Sequence, residues 1–161
     1  MTEQEKLDRK YLRQAIKEAY KGMNKNEGGP FGCVIVKDNK VLAKAHNTVT
    51  SKNDPTNHAE VNAIRKACKK LNSFQLSNCT IYCSCEPCPM CLGAIYWSRP
   101  SRVVFSSSKE DARQIEFDDS YIYEEIEKAI SQRQIETVYI PTKAADDLFE
   151  TWKNKMDKIE Y

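Results

Sequence analysis

Histidine is almost missing from this sequence: His46 and His58 are the only two in 161 residues, so a metal site that uses imidazole must draw on one of them. Long apolar runs are missing too, and no stretch approaches the roughly 20 residues that a membrane crossing needs. The opening Met1-Thr2-Glu3-Gln4-Glu5-Lys6 lacks the apolar core of a secretion signal, so the chain is expected in a reducing compartment, the cytoplasm. Neither sign of charge prevails. The 25 basic and 23 acidic residues leave +2, which is no electrostatic footprint for nucleic acid. Repeats, low-complexity tracts and linkers are also lacking, so residues 1–161 read as a single domain large enough to bury its own core.

Cysteine, by contrast, is plentiful. Three of the seven fall within Cys85-Glu86-Pro87-Cys88-Pro89-Met90-Cys91. In a reducing compartment clustered cysteines are metal ligands or catalytic groups rather than disulfides, and an odd number fits that reading. Cys88 and Cys91 have the C-x-x-C spacing of a chelate, and His58-Ala59-Glu60 stands thirty positions before Cys88.

Periodicity places these segments. Residues from about Glu5 to Asn24 form an amphipathic helix that ends at Gly28-Gly29-Pro30. Phe31–Val36 and Val41–His46 read as a hairpin about Lys37–Lys40, followed by a polar loop to Asn57. A helix from about His58 to Leu71, a strand at Cys79–Cys83, a helix at Pro87–Trp97 and a strand at Arg102–Phe105 come next. Tyr121–Ile130 reads as a helix, Glu136–Ile140 as a strand and Ala144–Ile159 as a last helix. Alternating strands and helices make a layered α/β fold.

Zinc prefers nitrogen and thiolate in a tetrahedron, and a catalytic zinc leaves one position to water. His58, Cys88 and Cys91 supply three ligands, one zinc per chain. Cys88 and Cys91, three apart at a helix start, share a face, and the helix N-terminus favours their thiolate form. Asn57 is the expected N-cap ahead of His58. Glu60 is left for proton transfer. Zinc deaminases acting on bases carry H-x-E followed by P-C-x-x-C with the Glu as general acid/base, and His58-Ala59-Glu60 with Pro87-Cys88-Pro89-Met90-Cys91 matches every specified position. A redox C-x-x-C has no use for the H-x-E segment. A structural zinc, in a protein that only binds a partner, would take Cys83 or Cys85 as a fourth ligand. His46 reads as a strand-end residue with no role, and Cys33, Cys68 and Cys79 as small core residues.

Further blocks carry a resemblance: Gly29-Pro30-Phe31-Gly32, His46-Asn47, Asn53-Asp54-Pro55-Thr56, Ser84 to Trp97, Phe117-Asp118-Asp119-Ser120-Tyr121-Ile122-Tyr123 and Glu160-Tyr161. Over nearly its full length the chain resembles the small guanine deaminases of the cytidine-deaminase-like superfamily. The resemblance implies a three-layer α/β/α sandwich with a mixed five-stranded sheet. It also implies hydrolysis of guanine to xanthine and ammonia, with water activated by zinc attacking C2 and Glu60 moving the protons. Deamination of cytosine, guanosine or a tRNA adenosine is the alternative within the same chemistry. Substrate contacts are expected at Asn47, Phe31, Ala59, Trp97, Asp111 and Tyr161. Phe31 and Trp97 offer apolar planes, and Asn47 offers a paired donor and acceptor. The partners implied are a purine base and a second copy of the chain, in a homodimer that exchanges the C-terminal segment, about 117–161, so that Tyr161 closes the neighbour's pocket.

Overall fold

A computed structural model of the chain describes residues 1–161. Two compact units emerge, Met1–Asp119 and Ser120–Tyr161. The first begins with α1 (Glu3–Asn24), whose start is closed by a capping box. The Thr2 hydroxyl accepts from the Glu5 N–H, and the Glu5 carboxylate accepts from the Thr2 N–H at 2.6 Å. β1 (Gly32–Lys37) and β2 (Lys40–His46) follow as an antiparallel hairpin. Asp38 and Asn39 both take positive φ at its turn, as a two-residue hairpin of native twist requires.

The short helix α2 (Val49–Lys52) interrupts the stretch read as loop, and α3 (Ala59–Leu71) leads to β3 (Cys79–Cys85). α4 (Pro89–Ser98) carries the chain to β4 (Arg102–Ser107), parallel to β3, and α5 (Lys109–Arg113) comes next. The sheet order is β2-β1-β3-β4.

Strand alternation decides which side chain meets which helix. Val34, Val36 and Tyr82 point to one face, where Tyr11 and Ala15 of α1 cover them. Cys33, Ile35, Ile81 and Cys83 point to the other, under Ala59, Ala63 and Ala67 of α3 and Ile95 of α4. Helix, sheet and helix make the three layers expected. The alanines let the helices close on the sheet, and Gly32 shows how near α1 comes: a Cβ there would lie 2.0 Å from the Ala15 carbonyl oxygen. Arg102 on β4 donates to both Asp8 carboxylate oxygens on α1 at 2.7 Å, and Tyr82 donates to the same carboxylate at 2.9 Å.

The second unit holds α6 (Ser120–Glu127), a 3-10 turn (Ile130–Gln132) and α7 (Lys143–Asn154). Here the five-stranded expectation is corrected: the mixed sheet has four strands, and Glu136–Ile140 forms none. The run Ile135 to Ile140, rich in β-branched and aromatic residues, has strand propensity, but a strand exists only as half of a hydrogen-bonded pair. Ser120–Tyr161 contains no other strand to pair with. No helix is long and apolar enough to cross a membrane.

Candidate zinc centre

The motifs sit at two helix starts. His58 is the N-cap of α3 and Cys88 the N-cap of α4, both with extended backbone, and neither side chain caps its helix. This moves the α3 cap from Asn57, whose side chain instead accepts from Arg65 at 2.9 Å. An N-cap side chain that does not fold back on its own helix is free to point outward, here toward the other motif. Pro89 takes the first helical position of α4, where its missing N–H costs nothing. Cys91 follows two residues later and is fully buried.

The ligand atoms of His58, Cys88 and Cys91 lie within 4.8 Å of one another. His58 Nδ1 is 3.5 Å from Cys88 Sγ and 3.4 Å from Cys91 Sγ. A tetrahedral zinc with bonds of about 2.3 Å to sulfur and about 2.0–2.1 Å to nitrogen separates the two by about 3.5 Å. The residues therefore fit the metal in type and spacing. No fourth protein ligand joins them. Cys85 Sγ is turned to the Ser108 carbonyl at 3.5 Å, and Cys83 faces Cys33 across β1 and β3. A structural zinc would have used one of these two.

Charge is arranged for thiolate. A hydrogen bond from the Cys91 thiol, with help from His58 and the Cys91 backbone N–H, brings Cys88 down to about 4. Cys91 moves up, chiefly because it donates to Cys88 and is buried. The Cys88 thiolate pushes His58 up against the effect of burial. Metal binding must release the protons held here. Glu60, in the first turn of α3, is 8% exposed, and its Oε2 accepts from Cys91 Sγ at 3.4 Å. Burial pushes its carboxyl up, as suits a group that takes and returns a proton.

The expected substrate residues scatter more. Ala59 is fully buried between His58 and Glu60. Asn47 is buried at the end of β2, and its Oδ1 accepts from the Val49 N–H at 3.0 Å, leaving the amide NH₂ as the donor to spare. Phe31 stands edge-on to Phe117, ring centroids 4.9 Å apart. Asp111 is exposed and closes the capping box of α5, its Oδ2 accepting from both the N–H and the hydroxyl of Ser108. Phe31 and Asp111 line a cavity of about 340 Å³ with Ile16, Tyr20 and Met23 of α1, which no zinc ligand enters. The cavity's one thiol, Cys85, is pushed up to about 11 by burial, whereas the thiol, imidazole and buried carboxylate that suit hydrolysis come together in the ligand cluster. Trp97 is exposed at the far end of α4 and Tyr161 is exposed in the second unit. One acid escaped the sequence reading: burial raises Asp119, and so does the charge of Cys88, which puts it within electrostatic reach of the ligands. Its signal was the Phe117-Asp118-Asp119 block.

Three residues that would hold a zinc, no fourth protein donor joining them and a buried carboxylate 3.4 Å from one of them suit a hydrolytic metal centre on an α/β/α scaffold. The chain belongs to the cytidine and deoxycytidylate deaminase zinc-binding family, whose model matches residues 5–107. It is 50% identical to the guanine deaminase of Bacillus subtilis (strain 168) over 94% of this chain and 97% of that one. The X-ray structure of guanine deaminase from Bacillus subtilis superposes with a TM-score of 0.93 at 47% identity, covering 100% of this chain and 99% of the other. A tRNA-specific adenosine deaminase of Aquifex aeolicus (strain VF5) is 33% identical over 91% of this chain and 93% of its own length. The protein is thus a zinc-dependent hydrolase of the deaminase class.

Proposed function

We propose that the protein hydrolyses guanine to xanthine and ammonia in the cytoplasm. The observation that carries the reaction class is the buried Glu60 carboxylate 3.4 Å from a zinc-ligand sulfur. The half-identical guanine deaminase carries the substrate. When bound, zinc supplies a Lewis acid that lowers the pKa of a water to about 7. Glu60 would take one proton from that water and give it to the ring nitrogen beside C2, then take the second from the hydroxyl added at C2 and pass it to the amine, which leaves as ammonia. Phe31 presents a ring to the base, and the spare amide donor of Asn47 faces an acceptor on its edge. Asp119 is a better candidate than Asp111 for the N–H groups of the purine, because the Asp111 carboxylate is already used by Ser108.

The same reading includes a homodimer that exchanges segment 117–161. It is supported by the apolar side chains that Ser120–Tyr161 leaves exposed, Leu148, Phe149 and Tyr139 among them. The test of substrate is ammonia release from guanine, guanosine, cytosine, cytidine, adenine and tRNA. Guanine is expected to turn over fastest, and strong turnover of any other member of that panel would replace it as the substrate.

A further inference from the structure

His46 lies beside Asn47 yet touches no zinc ligand. Its side chain is 13% exposed, and both ring nitrogens face carboxylates. Nε2 bonds to Glu27, and Nδ1 is 3.5 Å from Glu18 Oε2, which also pairs with Lys21 at 3.7 Å. The ring rests on the last turn of α1, where a Cβ on Gly22 would come within 2.4 Å of His46 Cδ2. Gly22 is thus what lets the imidazole reach the loop beyond the helix.

That loop runs directly to Asn47. A Cβ on Gly28 would fall 2.1 Å from Asn47 Oδ1 and 2.6 Å from its carbonyl oxygen, so the Glu27–Gly28 backbone forms one wall of the Asn47 site. Ser51 donates its N–H to the Glu27 carbonyl at 3.1 Å, and Asn47 donates to the Phe31 carbonyl at 3.0 Å. Asn62 on α3 donates to the His46 carbonyl at 3.2 Å. The carboxylate of Glu27 is thereby fixed by His46 while its backbone is held against Asn47. Shifting this wall reorients the amide and carries Phe31 with it.

We infer that His46 and Glu27 form a positioning pair that fixes the Glu27–Phe31 loop against Asn47 and so sets the affinity of the base site without touching base or metal. The inference rests on the proposed role of Asn47. Its test is steady-state kinetics of the zinc-loaded full chain, with guanine or whichever base the panel identifies. The variants are Glu27→Ala, Glu27→Gln, Asn47→Ala and the double variant Glu27→Ala/Asn47→Ala.

Glu27→Ala is expected to raise KM about tenfold, with kcat within about threefold of wild type and zinc retained. Glu27→Gln keeps an acceptor for Nε2 and restores most of the loss. Because Glu27 acts through Asn47, Glu27→Ala adds nothing to KM once Asn47 is Ala. A pair that only braces the fold would lower the folded fraction, and so the apparent kcat, and leave KM alone. Additive KM effects would overturn the positioning role while leaving Asn47 as a substrate contact. A wild-type KM in Asn47→Ala would overturn both. Should Glu27→Ala fail to fold, His46→Gln removes the same pair from the other side and is read in the same way.

Discussion

In α1 the apolar residues Leu7, Tyr11, Ala15 and Ala19 recur at four-residue steps, and in α7 Leu148, Phe149 and Trp152 trace a similar stripe. Tyr11 and Ala15 are buried under the sheet, whereas Leu148 is 65% and Phe149 74% exposed. The difference runs through both units, since no residue beyond Ser98 is buried. Periodicity therefore specifies a helix and its apolar side. What that side meets is settled by the rest of the chain, and in Met1–Asp119 a four-stranded sheet supplies it. Chemistry follows packing: the zinc ligands and Glu60 sit at helix starts that the packed unit holds in place.

The largest effect expected comes from the first unit. Glu60→Gln should keep its zinc and lose roughly 10²- to 10⁴-fold in turnover, the usual worth of a general acid/base. His58→Ala should lose the metal itself, read as zinc per chain. A Glu60→Gln enzyme with near-wild-type turnover would detach the chemistry from the packed unit. Next in size is the core. Ile81 is fully buried on the face under α3, and Ile81→Ala should cost about 2–5 kcal/mol in urea unfolding. A cost below about 0.5 kcal/mol would mean that Met1–Asp119 packs no better than the segment after it.

How much of this was legible follows the same division. The zinc centre could be read because a chelate is written as local spacing, and the two motifs share one ion whatever the fold between them. The three layers could be read because Val34 and Val36 alternate with Cys33 and Ile35, and both sides are apolar. The strand at Glu136–Ile140 failed because propensity names half of a pair and the other half is not in its unit. Ser108-Lys109-Glu110-Asp111 also spells a capping box, a local helix signal that α5 uses and that engages the Asp111 carboxylate. The nearness of Asp119 to Cys88 is a tertiary fact that no local spacing carries. Asn47 is expected by type alone, and its wall of Gly28 and the His46–Glu27 pair behind it are tertiary facts.

Ion pairs give the finest comparison of the two units. The Arg102 hydrogen bonds, above all, hold the Asp8 carboxyl at about 2 against an ordinary 3.8, while burial first, and then the hydrogen bond to Asp8 and its charge, push Tyr82 up to about 12 against the opposing charge of Arg102. A depressed carboxyl contributes stability above its unfolded pKa, and that contribution fades as pH falls from 3.8 through about 2. Since Arg102 is 43% exposed, solvent screening discounts the pair to about 1 kcal/mol. Asp8→Asn should therefore be less stable than wild type by that amount near neutral pH, and the gap should close as pH falls below about 2. A gap that persists unchanged into acid would assign the loss to packing instead.

The smallest effect belongs to Lys143 and Asp147 on α7, which meet at 2.7 Å, as close as Arg102 and Asp8. Distance alone would rank the two pairs equal. Their surroundings do not, because Lys143 is 85% and Asp147 63% exposed, the link spans one helical turn, and no third group donates to it as Tyr82 does to Asp8. Water screens such a pair, and holding a lysine side chain in place costs most of what remains. Asp147→Asn should thus change unfolding free energy by less than about 0.5 kcal/mol. A cost above about 1 kcal/mol would require that another surface covers α7 and desolvates the pair. The helix would then have found the partner that its apolar stripe calls for, and the contrast between the two units would hold only for the isolated chain.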